Sequence, residues 1–425
     1  MPIKKMWGGD SNKARLAGSV FYLTILQALN FALPLVTIPY LVRVLGIDNF
    51  GTLALYTAIA GYWIVVVEYG FNLSATRELS QSRSDTDAVA RIVSEVSWAK
   101  VFLSVASLLP IIGLWAVGGI PEADLLLMSC LSSVALAMFP AWAFQGLEQM
   151  KWIVTASAPA KVGVAVLILI VVDDPEDYQL VPSLYFVGSA VGVACGYAIL
   201  RFKFGLTIGI KHSRAAFGRL KSGFYLFLSQ VKMTLYSNTN TVLLGLVAGT
   251  TEVGYYAAAE KIMRALAMMQ VPVTRALFPH FSRLFVDDRS AAVSQIKNTI
   301  VIVSSVYLPI LILFFVLAPK VSEIFYGADH DAISHALRVM IFCPWIIFMS
   351  NMFGTQILIG LGYEKRFFFI LLFCGILNLF AVTALSHVWG ATGASLSLLL
   401  IESSVAVLMF FATKGILFPR RNADV

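Results

Sequence analysis

Charged residues are scarce. Asp, Glu, Lys and Arg make up 13% of the 425 residues, against about 25% in ordinary soluble domains. Hydrophobic residues make up 59%, and mean hydropathy is +0.81. No soluble fold can hide so much apolar surface, so the chain reads as an integral membrane protein and is counted in spans. Cysteine is sparse too. Cys130, Cys195, Cys343 and Cys374 each sit alone inside an apolar run, which excludes a disulfide framework and a CxxC metal site. The five histidines are scattered, and no HExxH, GxxxxGK[ST] or acidic metal-binding cluster is present. No bound cofactor is expected. Long outer loops are missing as well, the largest running from about Pro319 to Asp331. A membrane glycan polymerase or ligase needs catalytic residues in a sizeable outer loop, so an enzyme is not the expected reading.

What is present is a succession of apolar stretches of about 20 residues, the length that crosses a bilayer. Twelve can be drawn: Leu16–Val42, Phe50–Phe71, Val93–Ala116, Leu125–Phe144, Ile153–Val172, Leu180–Leu200, Phe224–Ala248, Tyr255–Phe278, Ile296–Ala318, Ser334–Ile359, Phe367–His387 and Thr392–Ala412. The first is read as a span and not as a removed signal peptide, because it is long and lacks a small-residue cleavage pattern. With the N-terminus inside, the inner segments collect 21 Lys and Arg residues, six of them in the central loop. The outer loops hold only Arg43 and Lys320, with Asp173, Asp174, Glu176 and Asp177. This asymmetry puts both termini in the cytoplasm. The net charge of +7 is then a topology signal and not a nucleic-acid footprint, which would need a basic soluble face.

The expected fold is an all-α membrane protein of 12 transmembrane helices in two six-helix lobes. An N-terminal lobe (1–202) and a C-terminal lobe (223–425) are joined by a basic cytoplasmic linker (203–222). Gly46 to Gly51 after the first span and Gly249 to Gly254 after the seventh form matching turns, 203 residues apart (249 minus 46). An even number of spans per half implies a pseudo-two-fold along the membrane normal, a layout that fits two lobes rocking about a central cavity.

An ionisable side chain at span depth is costly and turns toward protein or water. Lys100, Lys161 and Lys232 each lie seven or eight residues in from the cytoplasmic end, roughly 10–12 Å deep. They form a basic belt for an anionic substrate, or else snorkel to the headgroups. Ser97, Lys100, Ser104 and Ser107 share one helical face, which argues against lipid exposure there. Lys232, Tyr236 and Asn240 follow i, i+4, i+8, with interhelical hydrogen bonding as the alternative. Span 8 is the most charged, carrying Lys261 and Arg264, with Arg264 at about mid-depth. Glu260 is four before Arg264, so the two can pair, which leaves Lys261 in excess. A guanidinium suits bidentate contact with a diphosphate. Glu402, lone and mid-depth, and Glu260 are candidates for ion coupling, or structural hydrogen-bonding acids. Five deep cations against two acids favour acidic sugars or lipid phosphates over cationic drugs. Gly188, Gly192 and Gly196 form a helix-packing face.

Two stretches resemble a known family. Pro39-Tyr40-Leu41-Val42-Arg43-Val44-Leu45-Gly46 with Phe50-Gly51, and Tyr69-Gly70-Phe71-Asn72-Leu73-Ser74-Ala75-Thr76-Arg77-Glu78, are similar to the N-terminal signature of Wzx-type O-antigen and polysaccharide repeat-unit flippases. These belong to the multidrug/oligosaccharidyl-lipid/polysaccharide exporter superfamily. Gly254-Tyr255-Tyr256-Ala257-Ala258-Ala259-Glu260-Lys261 resembles the start of the family's second lobe. The resemblance implies a secondary transporter in the bacterial inner membrane. Its cargo is implied to be undecaprenyl-diphosphate-linked oligosaccharide, moved from the cytoplasmic to the periplasmic leaflet through a cationic cavity. An H⁺ or Na⁺ gradient drives such proteins, and a glycan polymerase and chain-length regulator of lipopolysaccharide biosynthesis are the implied partners beside membrane lipids. The alternative within the same superfamily is a multidrug/cation antiporter, which expects acids to dominate the cavity.

Overall fold

The computed structural model describes residues 12–83, 85–118, 121–209, 213, 215–327 and 330–418. Within these, the side chains at 12–17, 19, 20, 222, 225, 229, 231–237, 275, 276, 279 and 330 fall outside the description. Every regular element among the described residues is helical. Two compact units are present, Met1–Asn238 and Thr239–Val425.

The first unit contains α1 (Asn12–Glu68), α2 (Phe71–Gln81), α3 (Thr86–Val117), α4 (Ala123–Met138), α5 (Ala141–Gly146), α6 (Met150–Val171) and α7 (Leu180–Phe204). A 3₁₀ turn at Pro175–Gln179 precedes α7. α8 (Ala215–Ala248) begins in this unit, and the division falls within it. The second unit continues with α9 (Thr250–Met268), α10 (Val271–Asp287), α11 (Arg289–Tyr326), α12 (His330–Met340), α13 (Cys343–Asn351), a π-helical stretch at Met352–Ile359 and α14 (Glu364–Leu417).

Eight segments are long and apolar enough to cross a membrane, so this is a multi-pass membrane protein. At about 1.5 Å per residue, α1 and α14 each exceed twice the roughly 30 Å a single pass needs. Each contains one glycine off the helical dihedrals, Gly46 in α1 (φ 74°, ψ 167°) and Gly390 in α14 (φ 53°, ψ −131°). Such backbone is open to glycine alone at little cost, so each of these residues divides its long helix into two parts. α9 falls outside the eight because 19 residues carry Glu252, Glu260, Lys261 and Arg264. Gly249, which opens α9, has φ 90° and ψ 175°, close to the conformation of Gly46.

Packing in the first unit centres on Phe71, Leu79, Val93, Trp142, Phe144, Leu200 and Phe204, all buried, with Ala216 at the start of α8 in the same cluster. Gly188 and Gly192 of α7 face Ala160 and the Ala156 carbonyl of α6, and Gly196 faces Phe139 and Pro140. A Cβ at Gly188 would collide with Val164. We expect Gly188→Ala to lower the thermal midpoint in detergent, at a cost of about 1–3 kcal/mol for overpacking. Val164→Ala in the same chain should recover most of that loss. An additive double mutant would contradict the contact.

Candidate functional site

The charged face of α9 is built by its boundaries. Gly249 turns the chain in, and Val271-Pro272 restart it as α10, leaving a break at Met269–Gln270. Two tyrosines of α11 fix the helix between these ends. Tyr326 donates its hydroxyl to the Ala258 carbonyl at 2.8 Å, and Tyr307 donates to Leu266 at 2.7 Å. Lys261 and Arg264 lie 11 and 14 residues past Thr250, about 16 and 21 Å along the axis of α9.

Arg264 donates to Glu260 Oε1 at 2.8 Å, the i,i+4 pair that the spacing allows. The Arg264 side chain is 44% exposed and that of Glu260 10%. Lys261 is exposed, and among the described residues it forms no hydrogen bond or ion pair. A cation facing acyl chains at this depth costs about 2.5–3.5 kcal/mol, so a face presenting both Lys261 and Arg264 is suited to a polar space. Glu402, buried in α14, lies within electrostatic reach of Arg264.

A polar chain runs inward from Glu260 and includes Asn240, for which the sequence offered interhelical hydrogen bonding as one reading. Tyr256 donates to Glu260 Oε1 at 3.4 Å and accepts from Asn240 Nδ2 of α8 at 3.5 Å. Asn378 of α14 donates to Asn240 Oδ1 at 2.7 Å, and Ser397 donates to Asn378 Oδ1 at 3.3 Å. Asn240, Tyr256 and Asn378 are all buried. Each amide satisfies the next, which makes a buried polar network tenable in an apolar bundle. For Asn378 the available signal was a lone amide inside an apolar run.

The predicted cations of the first unit occupy separate surroundings. Lys100 is fully buried and donates to the Ala137 carbonyl at 2.7 Å. That carbonyl is freed at the end of α4. Pro140 offers no N–H, and the Ala141 N–H turns to Phe139 instead of Ala137. Lys100 thus caps a broken helix in this structure. Ser97 and Ser104 of its stripe are buried, against Tyr197 and the Lys100 carbonyl, so the stripe faces protein. Lys161 donates to Asn30 Oδ1 of α1 at 2.6 Å. The Lys232 side chain lies outside the described residues.

Near the beginning of α8, Arg219 meets two acids. Its guanidinium grips both oxygens of Glu78 in α2, and its Nε donates to Glu95 of α3 at 2.8 Å. Burial pulls the Arg219 pKa down, but the two carboxylates outweigh it and hold the group above its usual range. The preceding segment is tied to α3 as well. Ser94 donates to the Thr207 carbonyl and accepts from the Gly209 N–H, both at 3.1 Å, and Trp98 donates to the Gly209 carbonyl at 3.3 Å. The stretch read as a basic linker is therefore docked on the first unit where described.

Asp173, Asp174 and Asp177 bring carboxylate oxygens within 4.8 Å of one another. Their gathering follows from the turn itself, because Asp177 accepts from the backbone N–H groups of both neighbours.

Both units are built of long apolar helices, two of them interrupted by a glycine off the helical dihedrals. The chain belongs to the family described as polysaccharide biosynthesis protein, whose sequence pattern matches residues 16–285. It is 30% identical over 423 residues to a protein of Escherichia coli strain K12 named "Putative O-antigen transporter", covering 97% of this chain and 99% of that one. A Shigella dysenteriae protein of the same name is 27% identical over 400 residues, covering 93% and 99%. Among solved structures, an inward-facing multidrug resistance MATE family transporter of the MOP superfamily matches with TM-score 0.74 and 14% identity, over 94% of this chain and 98% of that one. The lipid II flippase MurJ matches with TM-score 0.61 and 15% identity, over 88% and 86%. These two likenesses establish the fold. The sequence relatives place the chain among membrane transporters of the O-antigen type and not among enzymes.

Proposed function

We propose that this protein is a flippase of the bacterial inner membrane. It moves polyprenyl-diphosphate-linked oligosaccharide, of the undecaprenyl O-antigen kind, from the cytoplasmic to the periplasmic leaflet. Twelve passes in two six-helix lobes related by a pseudo-two-fold, with both termini inside, would carry it through alternating access. The observation that carries the reading is the positive excess on α9, where Glu260 answers Arg264 and Lys261 is left over. A fixed cation offsets the cost of bringing a diphosphate away from water, and no bond is broken. The near-full-length relatives supply the cargo class.

Arg264 and Lys261 are the foremost contacts in this proposal. Lys161 and Lys232 extend the cationic path, and Lys100 joins it only by exchanging the Ala137 carbonyl for a phosphate oxygen. Coupling to an H⁺ or Na⁺ gradient would use Glu260 and Glu402. Neutralising Glu260 by a proton or a metal cation releases Arg264 toward the cargo, and losing that cation restores the ion pair. Transport and ion binding are thereby linked through one guanidinium.

Deleting the gene in its host is expected to abolish surface glycan and to leave lipid-linked units accumulating on the cytoplasmic leaflet, with complementation restoring display. Unchanged glycan together with new sensitivity to cationic drugs would favour an antiporter instead.

A further inference from the structure

The first half of α8 lies against α2 and α3. Only Ala216 and Gly223 are buried among its described side chains up to Gln230, while Phe217, Phe224, Leu226 and Leu228 are exposed. Two ring contacts seat it. Phe227 stacks on Tyr69 at 4.6 Å between centroids, and Phe217 on Phe102 at 4.9 Å. A Cβ at Gly223 would come to 3.3 Å from the Tyr69 ring, a tight contact. Between α8 and α2 an open groove of about 350 Å³ remains, lined by Leu73, Ser74, Arg77, Glu78, Gln81 and Leu226.

Arg219 is tied to this groove through Glu78. It holds Glu78, a groove residue on α2, and Glu95 on α3 at the same time. The Glu78 side chain is 41% exposed, that of Arg219 20% and that of Glu95 10%. The Glu78 pair, open to solvent, adds little to stability and is screened by salt, whereas Glu95 is buried and anchors Arg219 on α3. The arm to α2, made at so little energetic gain, fits a contact that is made and broken.

We propose that Arg219 is a positioning residue, an ionic latch that holds the first half of α8 against α2 and α3 and keeps the groove between α8 and α2 narrow. Release of the latch lets this half of the helix lift away and widens the groove. The inference concerns movement of α8 alone and stands whether or not the cargo is a lipid-linked glycan.

The test places a reporter in the groove of the full-length protein. Ser74→Cys is labelled with a membrane-impermeant maleimide in right-side-out and inverted vesicles, with the unsubstituted protein as blank. R219A and the pair E78Q/E95Q should each speed labelling about fivefold, the bias that one exposed ion pair supplies. R219K should fall between, since an ammonium keeps the charge and loses the fork. Raising the salt concentration should speed labelling in the otherwise unaltered reporter and leave R219A unchanged. The thermal midpoint in detergent should stay nearly constant in E78Q/E95Q and fall in R219A, where the buried Glu95 loses its partner. Equal labelling rates in folded R219A and E78Q/E95Q proteins would overturn the latch. So would failure of both variants to accumulate, which would make Arg219 a fold staple.

Discussion

Arg264→Ala should cut surface glycan about 10- to 100-fold, the range expected when a charge-assisted contact of about 1.5–3 kcal/mol is lost. The substitution does two things, and they must be separated. It takes a cation from the cargo path, and it strands Glu260, which is buried and accepts besides from the Tyr256 hydroxyl. Breaking one side of a buried pair costs about 3–5 kcal/mol, less if the acid picks up a proton. Loss of protein alone could then mimic loss of transport. The variant R264A/E260Q removes both charges and should restore abundance in the membrane, read by immunoblot. Glycan display should stay low. R264K should keep part of the activity, because an ammonium retains the charge without the bidentate fork. Full display in R264A/E260Q would reduce this pair to a structural role.

Gly390→Ala should destabilise the second unit by about 2–4 kcal/mol, combining backbone strain with a disturbed cap. The dihedrals at Gly390, φ 53° and ψ −131°, lie where side chains are rarely tolerated. An added Cβ would also run into the Glu252 carboxylate, which accepts from the Ala391 N–H and caps the second half of α14. Glu252 sits in the first turn of α9. One carboxylate therefore ties the start of the charged helix to the turn of α14. Thermal unfolding in detergent would show a drop of several degrees, and Glu252→Gln, which keeps the acceptor oxygen and the shape, a smaller one. A midpoint unchanged in Gly390→Ala would mean that the turn relaxes freely.

Hydropathy exposed the membrane character of the chain, because composition and long apolar runs need no tertiary knowledge. The turn glycines were readable for the same local reason. Gly46 and Gly249 were singled out by spacing, and both have positive φ in the structure. Gly390 escaped notice, since nothing beside it in sequence reveals that a carboxylate from α9 fills its empty side. The Glu260–Arg264 pair was legible at i,i+4, where one helix supplies both partners. Lys100 was not. Its partner is a carbonyl 37 residues away, freed by Pro140, and depth along a helix says nothing about such a neighbour. Arg219 shows the same limit. Counting it as one of six cations in a loop hid the two acids, which come from α2 and α3. Charge excess is a property of the sequence. Which charge answers which is decided by packing.

Direct observation of leaflet transfer tests the central claim. Purified protein in proteoliposomes, given a labelled polyprenyl-diphosphate oligosaccharide on one leaflet, should expose it to an impermeant glycosidase on the other. Transfer should accelerate under an ion gradient and fall to the protein-free rate in R264A/E260Q. Transfer no faster than in protein-free liposomes, from vesicles that still move a lipophilic cation, would contradict the account.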